Sequence, residues 1–114
     1  MKKCDCPIDA VAKMLGKKWV IVILRDMFLG KTQFKEFLDS NPELSNKVLS
    51  QKLKDMESEG LIKRSVIPET LSVRYGLTMQ GKRLKCVMKE MVKYGKSYCE
   101  SPKTYARLLK RFND

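Results

Sequence analysis

Hydrophobic positions along this chain fall into blocks at helical spacing, interrupted once by a block at strand spacing. Ile8, Val11, Ala12 and Leu15 recur at i, i+3, i+4 and i+7, which predicts a short amphipathic helix from Pro7 to Leu15. Pro7 suits the first turn of that helix and Gly16 breaks it. Trp19 to Phe28 is apolar almost all round. Trp19 to Leu24 alone, rich in β-branched residues, also fits a buried strand. Leu24, Met27 and Phe28 extend the pattern at helical spacing, and Gly30 suits a helix end, so a central buried helix is expected. Thr32 to Asp39 reads as a helix with Phe34, Phe37 and Leu38 inward and Thr32 as N-cap. Ser40, Asn41 and Pro42 stop it and turn the chain.

Ser45 is a good N-cap for a helix from Asn46 to Glu59. Val48, Leu49, Leu53 and Met56 form its apolar side, and Lys47, Ser50, Gln51 and Lys54 project opposite. Gly60 ends it. Leu61 to Ile67 then reads as a strand, Pro68 to Leu71 as a tip, and Val73, Tyr75 and Leu77 alternate with polar or small residues as a half-buried strand. Thr78 can cap a last long helix from Met79 to about Glu100. A stripe runs along that helix through Leu84, Val87, Met88, Met91, Tyr94, Gly95 and Tyr98. A small domain has no core left for such a stripe, so a second copy of the chain is its expected partner. Ser101 and Pro102 start a final helix to about Arg111, with Tyr105, Leu108, Leu109 and Phe112 on its apolar side. The expected fold is mainly α with a small β-hairpin, a winged helix-turn-helix with extra terminal helices for dimerisation. It forms a single domain over 1–114, with 31–78 as helix-turn-helix and wing and with 1–15 and 79–112 as dimerisation helices.

Charge sharpens this picture. The 114 residues hold 24 Lys and Arg against 13 Asp and Glu, a net charge of +11. Such a surplus favours polyanions, since each neutralised phosphate releases counterions, although it also serves solubility. Met79 to Phe112 alone carries ten basic and two acidic residues. The exposed side of the Asn46–Glu59 helix offers hydroxyl, amide and ammonium groups, the set that base edges and phosphates accept. A plain solvated helix face has the same look. The hairpin that follows favours the DNA-reading role, with Ser45, Asn46, Lys47, Ser50, Gln51 and Lys54 as its residues. Arg64 and Arg74 on the wing, with Lys31 and Gln33 on the flank, are further candidate contacts.

Other classes find little support. The longest apolar run, Trp19 to Leu24, is far shorter than the ~20 residues that span a bilayer. MKKCDCPID has no apolar stretch of the kind that directs export, so the cytoplasm is the expected location. There is no His, no glycine-rich phosphate loop and no motif-placed carboxylate pair, so neither an enzyme nor a cofactor is expected. Cys4, Cys6, Cys86 and Cys99 include no Cys-x-x-Cys, a poor match to zinc spacings, and no metal site is expected. An apolar pocket between Trp19, the last helix and a dimer mate could admit a small-molecule effector of unknown identity, and core packing explains those residues equally well.

Three segments together resemble the HxlR-type winged-helix transcriptional regulators of the MarR-like group. They are CPIDAVAKMLGKKW at the start, TQFKEFLDSNPELSNKVLSQKLKDMESEGLIKR in the middle and RYGLTMQGKRL after the wing. The resemblance covers about Cys6 to Tyr98. It implies a homodimer assembled through terminal helices and two reading helices in successive major grooves of double-stranded DNA. It places Ser45 to Lys54 in the reading role and Pro68 to Arg74 at the wing. Lys17 stands where the family usually has a second Gly, and the tail after Tyr98 has no family assignment. Some relatives use a cysteine before the first helix as a redox or electrophile sensor, and Cys6 matches that position. Helix N-terminal amides and Lys2 and Lys3 favour a thiolate there, while Asp5 and Asp9 oppose it. The competing expectation for Cys6 is a small buried hydrophobe. By helical angle Cys86 lies off the stripe and Cys99 closer to it. The reading favoured is a sequence-specific, homodimeric DNA-binding regulator; the alternative is a winged-helix protein that binds nucleic acid without base preference.

Overall fold

Pro7 sets the backbone for a helix start in the computed structural model, which describes residues 6–99 and 102–113. Lys2, Lys3, Cys4, Asp5, Glu100 and Ser101 lie outside the described residues. The element order is α1 (Pro7–Leu15), α2 (Lys18–Phe28), α3 (Phe34–Ser40), α4 (Asn46–Ser58), β1 (Ile62–Ile67), β2 (Ser72–Leu77), α5 (Met79–Lys82), α6 (Lys85–Gly95), a 3₁₀ turn (Lys96–Tyr98) and α7 (Pro102–Asn113). This is a winged helix-turn-helix with helices added at both ends. The Trp19–Leu24 stretch is helical, so its β-branched content is overridden by burial. Ile23 and Leu24 are fully enclosed, and Val20 and Met27 line the same core.

The core is built where α2, α3 and α4 converge on the base of the hairpin. Phe37, Leu49, Leu53, Met56, Leu61 and Ile62 are buried there with the α2 residues. Tyr75 packs edge-on against Phe37 at 6.5 Å between ring centres. The Tyr75 amide donates to the Thr32 carbonyl at 2.8 Å, which fixes the outer edge of β2 to the α2–α3 connection. The strands pair antiparallel from Ile62 with Leu77 to Ile67 with Ser72. Leu71 closes the tip in the left-handed region at φ 56°, its amide donating to Ile67 at 2.7 Å.

Four features differ from the pattern in the sequence. The N-cap of α3 is Gln33 rather than Thr32, because Gln33 and Glu36 exchange bonds with each other's backbone amides in a capping box. The residues of β2 are all half-buried rather than alternating, with α3 and α5 both packed on the strand. The long helix after Thr78 is broken at Arg83 and Leu84, whose amides reach back to Gln80 and Gly81 at 3.2 and 3.1 Å, a 3₁₀-type tightening. That break turns Leu84 and Met88 into the chain's own core, at 9% and 4% exposed, and takes them out of the stripe expected to face a second copy. The last helix runs two residues further than expected and buries Phe112 against Phe28, ring centres 5.2 Å apart.

Candidate nucleic-acid interface

Helix α4 is started by the Ser45 hydroxyl, which accepts the Val48 amide at 3.1 Å. Such a cap contributes about 1 kcal/mol. Leu49, Leu53 and Met56 anchor one side of the helix in the core, so the opposite side must face outward. Ser45, Asn46, Lys47, Gln51 and Lys54 are exposed there, and Ser50 is half-buried at the edge. The Gln51 amide donates one of its two N–H groups to the Asp55 carboxylate at 2.9 Å. Thr78 closes the other end of the motif: its hydroxyl caps α5 and donates to the Gly60 carbonyl at 2.6 Å. Gly60 ends α4 at φ +79°, a conformation a side chain would strain.

A buried polar network holds the turn that aims α4. Asp26, 1% exposed, accepts Arg25 Nε and Nη2 on one oxygen at 3.2 and 3.0 Å and Asn41 Nδ2 on the other at 2.9 Å. Asn41 also donates to the Phe37 carbonyl at 2.8 Å and accepts Arg25 Nη2 at 3.1 Å. The Leu44 amide then donates to the Asn41 carbonyl at 2.9 Å, which shapes the approach to Ser45. Sequence reading missed this network. Its only signal was a lone carboxylate inside the apolar Trp19–Phe28 stretch.

The hairpin register separates the two wing arginines. Arg64 lies opposite Tyr75 and Arg74 opposite Ser65. Adjacent pairs point to opposite faces, so Arg64 and Arg74 cannot grip one strand of DNA side by side. Arg74 belongs instead with Lys31: both cations act on Glu36 at the start of α3. The Glu36 carboxylate accepts the Thr32 and Gln33 amides at 3.1 and 3.0 Å. Those bonds, with Lys31 and Arg74 nearby, lower its pKa. Gln33 is exposed beside them and Lys31 half-buried. Alternation along β1 puts exposed Lys63 on the Arg74 face, a cation the sequence reading passed over.

Away from α4, a run of apolar side chains lies uncovered. Ile8 and Val11 on α1 are 80% and 41% exposed. Val87 and Met91 on α6 are about as open as Val11, and Tyr94 and Tyr98 are far more so, their rings 5.7 Å apart. An open apolar concavity of about 1170 Å³ follows this face from Cys86 to Tyr98. Trp19 does not line it but packs half-buried against the core. Cys6 is exposed rather than buried, because it sits ahead of α1, where its carbonyl accepts the Ala10 amide at 3.1 Å. Cys86 and Cys99 are exposed too.

The comparisons with known proteins agree with this geometry. The model of the HxlR-like helix-turn-helix family matches residues 14–103. A helix-turn-helix-type transcriptional regulator of Synechocystis sp. is 36% identical over 105 residues, covering 91% of this chain and 78% of its own length. The regulator YodB of Bacillus subtilis is 35% identical over 97 residues, 83% of this chain and 87% of YodB. The reduced form of YodB superimposes with a TM-score of 0.73 at 34% identity, over 85% of this chain and 97% of that one. The redox regulator HypR in its oxidised form gives a TM-score of 0.76 at 28% identity, over 84% of this chain and 100% of that one.

Proposed function

This chain belongs to the HxlR-like helix-turn-helix family of transcriptional regulators, and on that premise we propose that it works as a homodimer that reads two half-sites in cytoplasmic DNA. Each copy lays α4 in the major groove. Asn46, Lys47, Ser50, Gln51 and Lys54 meet base edges, and Ser45 sets the start of the helix. The observation that carries this reading is the polar, basic outer side of α4, fixed in direction by its buried side and by the Asp26–Asn41 network. Lys31, Gln33 and Arg74 hold the backbone at the start of α3, and Arg64 contacts DNA from the other face of the wing. Dimerisation pairs the uncovered faces of α1 and α6, which spaces the half-sites about one helical turn, roughly 34 Å.

Cys6 is the proposed signal input. Its thiol is exposed one residue before α1 and close in sequence to Ile8 and Val11, so a group attached there adds bulk at the dimer-forming face. YodB and HypR are similar proteins whose solved forms include reduced and oxidised states.

The test is fluorescence anisotropy on labelled DNA from upstream of the protein's own gene and on a scrambled duplex, across a salt series, with reductant and then mild oxidant. The wild type should prefer the native duplex, and changing Ser50, Gln51 and Lys54 together to Ala should abolish that preference. A preference that survives the triple change removes these residues from the reading role. Salt-dependent binding that ignores sequence throughout identifies a non-specific binder instead. Oxidation should weaken the native complex and leave Cys6→Ser unaffected.

A further inference from the structure

The last helix has two sides with different work. Leu108, Leu109 and Phe112 turn inward, and Phe112 is 3% exposed against Phe28. Lys103, Arg107, Lys110 and Arg111 recur at i, i+4, i+7 and i+8, so all four cations share the outward side. From Pro102 to Asn113 there is no acidic residue to balance them. A face that serves solubility mixes signs, and like charges at i, i+4 oppose each other by a few tenths of a kcal/mol per pair. This helix therefore holds an internal repulsion that a polyanion relieves.

Its docking point decides which polyanion. Arg111 Nε donates to the Phe28 carbonyl at 2.9 Å, bridging 83 residues of sequence and capping the end of α2. Arg111 Nη2 lies 3.2 Å from where a Cβ on Gly30 would sit. Lys31 is the next residue, and Lys31 and Arg74 both act on Glu36 at the start of α3. Three separate elements thus bring cations to one edge beside the helix-turn-helix. The family match ends at residue 103, so nearly all of α7 lies beyond it.

We propose that α7 is an added clamp on the DNA backbone: Arg107, Lys110 and the free end of Arg111 extend the Lys31–Arg74 edge to phosphates outside the segment that α4 reads. The proposal rests on the DNA-binding reading above, and it concerns affinity and site length rather than sequence choice. Arg111 stays in place in the test because it also caps α2.

The decisive comparison is Arg107→Gln with Lys110→Gln against the wild type, on native and scrambled duplexes across a salt series. Both side chains are exposed and their loss relieves like-charge repulsion, so thermal melting should be unchanged or slightly raised. The slope of log affinity against log salt should become shallower by about 2 for each bound copy, about 4 for the homodimer, near 0.9 for each phosphate no longer neutralised. Affinity at moderate salt should drop about tenfold or more on both duplexes, with their ratio preserved, and hydroxyl-radical footprints should shorten at the outer edges. An unchanged slope and footprint overturn the clamp and leave a solubility face. A changed slope in a protein with no duplex preference sustains the clamp while sinking sequence-specific reading. Absence of DNA binding by the wild type overturns both.

Discussion

At the residue scale, Glu36 shows how one side chain serves both fold and site. Its carboxylate closes the start of α3 by accepting the Thr32 and Gln33 amides, and it sits in the field of Lys31 and Arg74. These effects lower its folded pKa beneath the ordinary glutamate value of about 4.3. A lowered folded value means stability that is present above the unfolded pKa and lost as the pH falls through the folded one. Melting followed by circular dichroism from pH 6 to pH 3 should therefore drop more for the wild type than for Glu36→Gln. Parallel curves would refute this role. The capping box was legible, since Gln33 and Glu36 have its spacing. Thr32 looked the better cap because its other engagement, the bond from Tyr75 to its carbonyl, comes from a strand more than forty residues away and leaves no local trace. Asp26 is similar: a carboxylate in an apolar stretch can be seen, but its partner Asn41 is supplied by the fold.

At the element scale, the helices and hairpin around the candidate DNA site followed from spacing, caps and glycines, because each is settled by neighbours within a few residues. Ser45 and Thr78 cap the helices they precede. The break in the last long helix was not legible, since Arg83 and Leu84 are ordinary helix formers. What breaks it is tertiary. Gly81 lies so close to the backbone just before β1 that a Cβ would stand 2.1 Å from the Leu61 carbonyl oxygen, and the chain then bends to bury Leu84. Gly81→Ala should therefore cost about 2 kcal/mol or more, in the range of overpacked cores, and lower the melting temperature by about 10 °C. Gly76, where a Cβ would meet nothing within 4 Å, supplies the contrast: Gly76→Ala should be neutral or slightly stabilising. Equal losses at the two sites would show that the close approach at Gly81 is not what holds α5 against the hairpin.

At the scale of the whole molecule, the question is what covers the apolar side chains that the fold leaves outside. The spacing of Val87, Met91, Tyr94 and Tyr98 announced a surface stripe, but only the folded chain shows that Leu84 and Met88 are consumed by its own core. Val87, Met91, Tyr94 and Tyr98 stay exposed on α6, as do Ile8 and Val11 on α1, apolar side chains of the kind an isologous contact would bury. A dimer across it would bind two half-sites at once. The second α4 then engages at an effective concentration set by the first, which raises affinity roughly 100-fold or more over a single copy. Met91→Glu with Tyr94→Glu places two charges where water already reaches, so each chain should fold with little change in its circular dichroism spectrum. Sedimentation should shift from dimer to monomer, and affinity for a full palindromic site should fall roughly 100-fold, while binding to a single half-site stays the same. If the double variant still sediments as a dimer, the two reading helices are joined through some other surface. The groove along α6 would then be open to a different occupant.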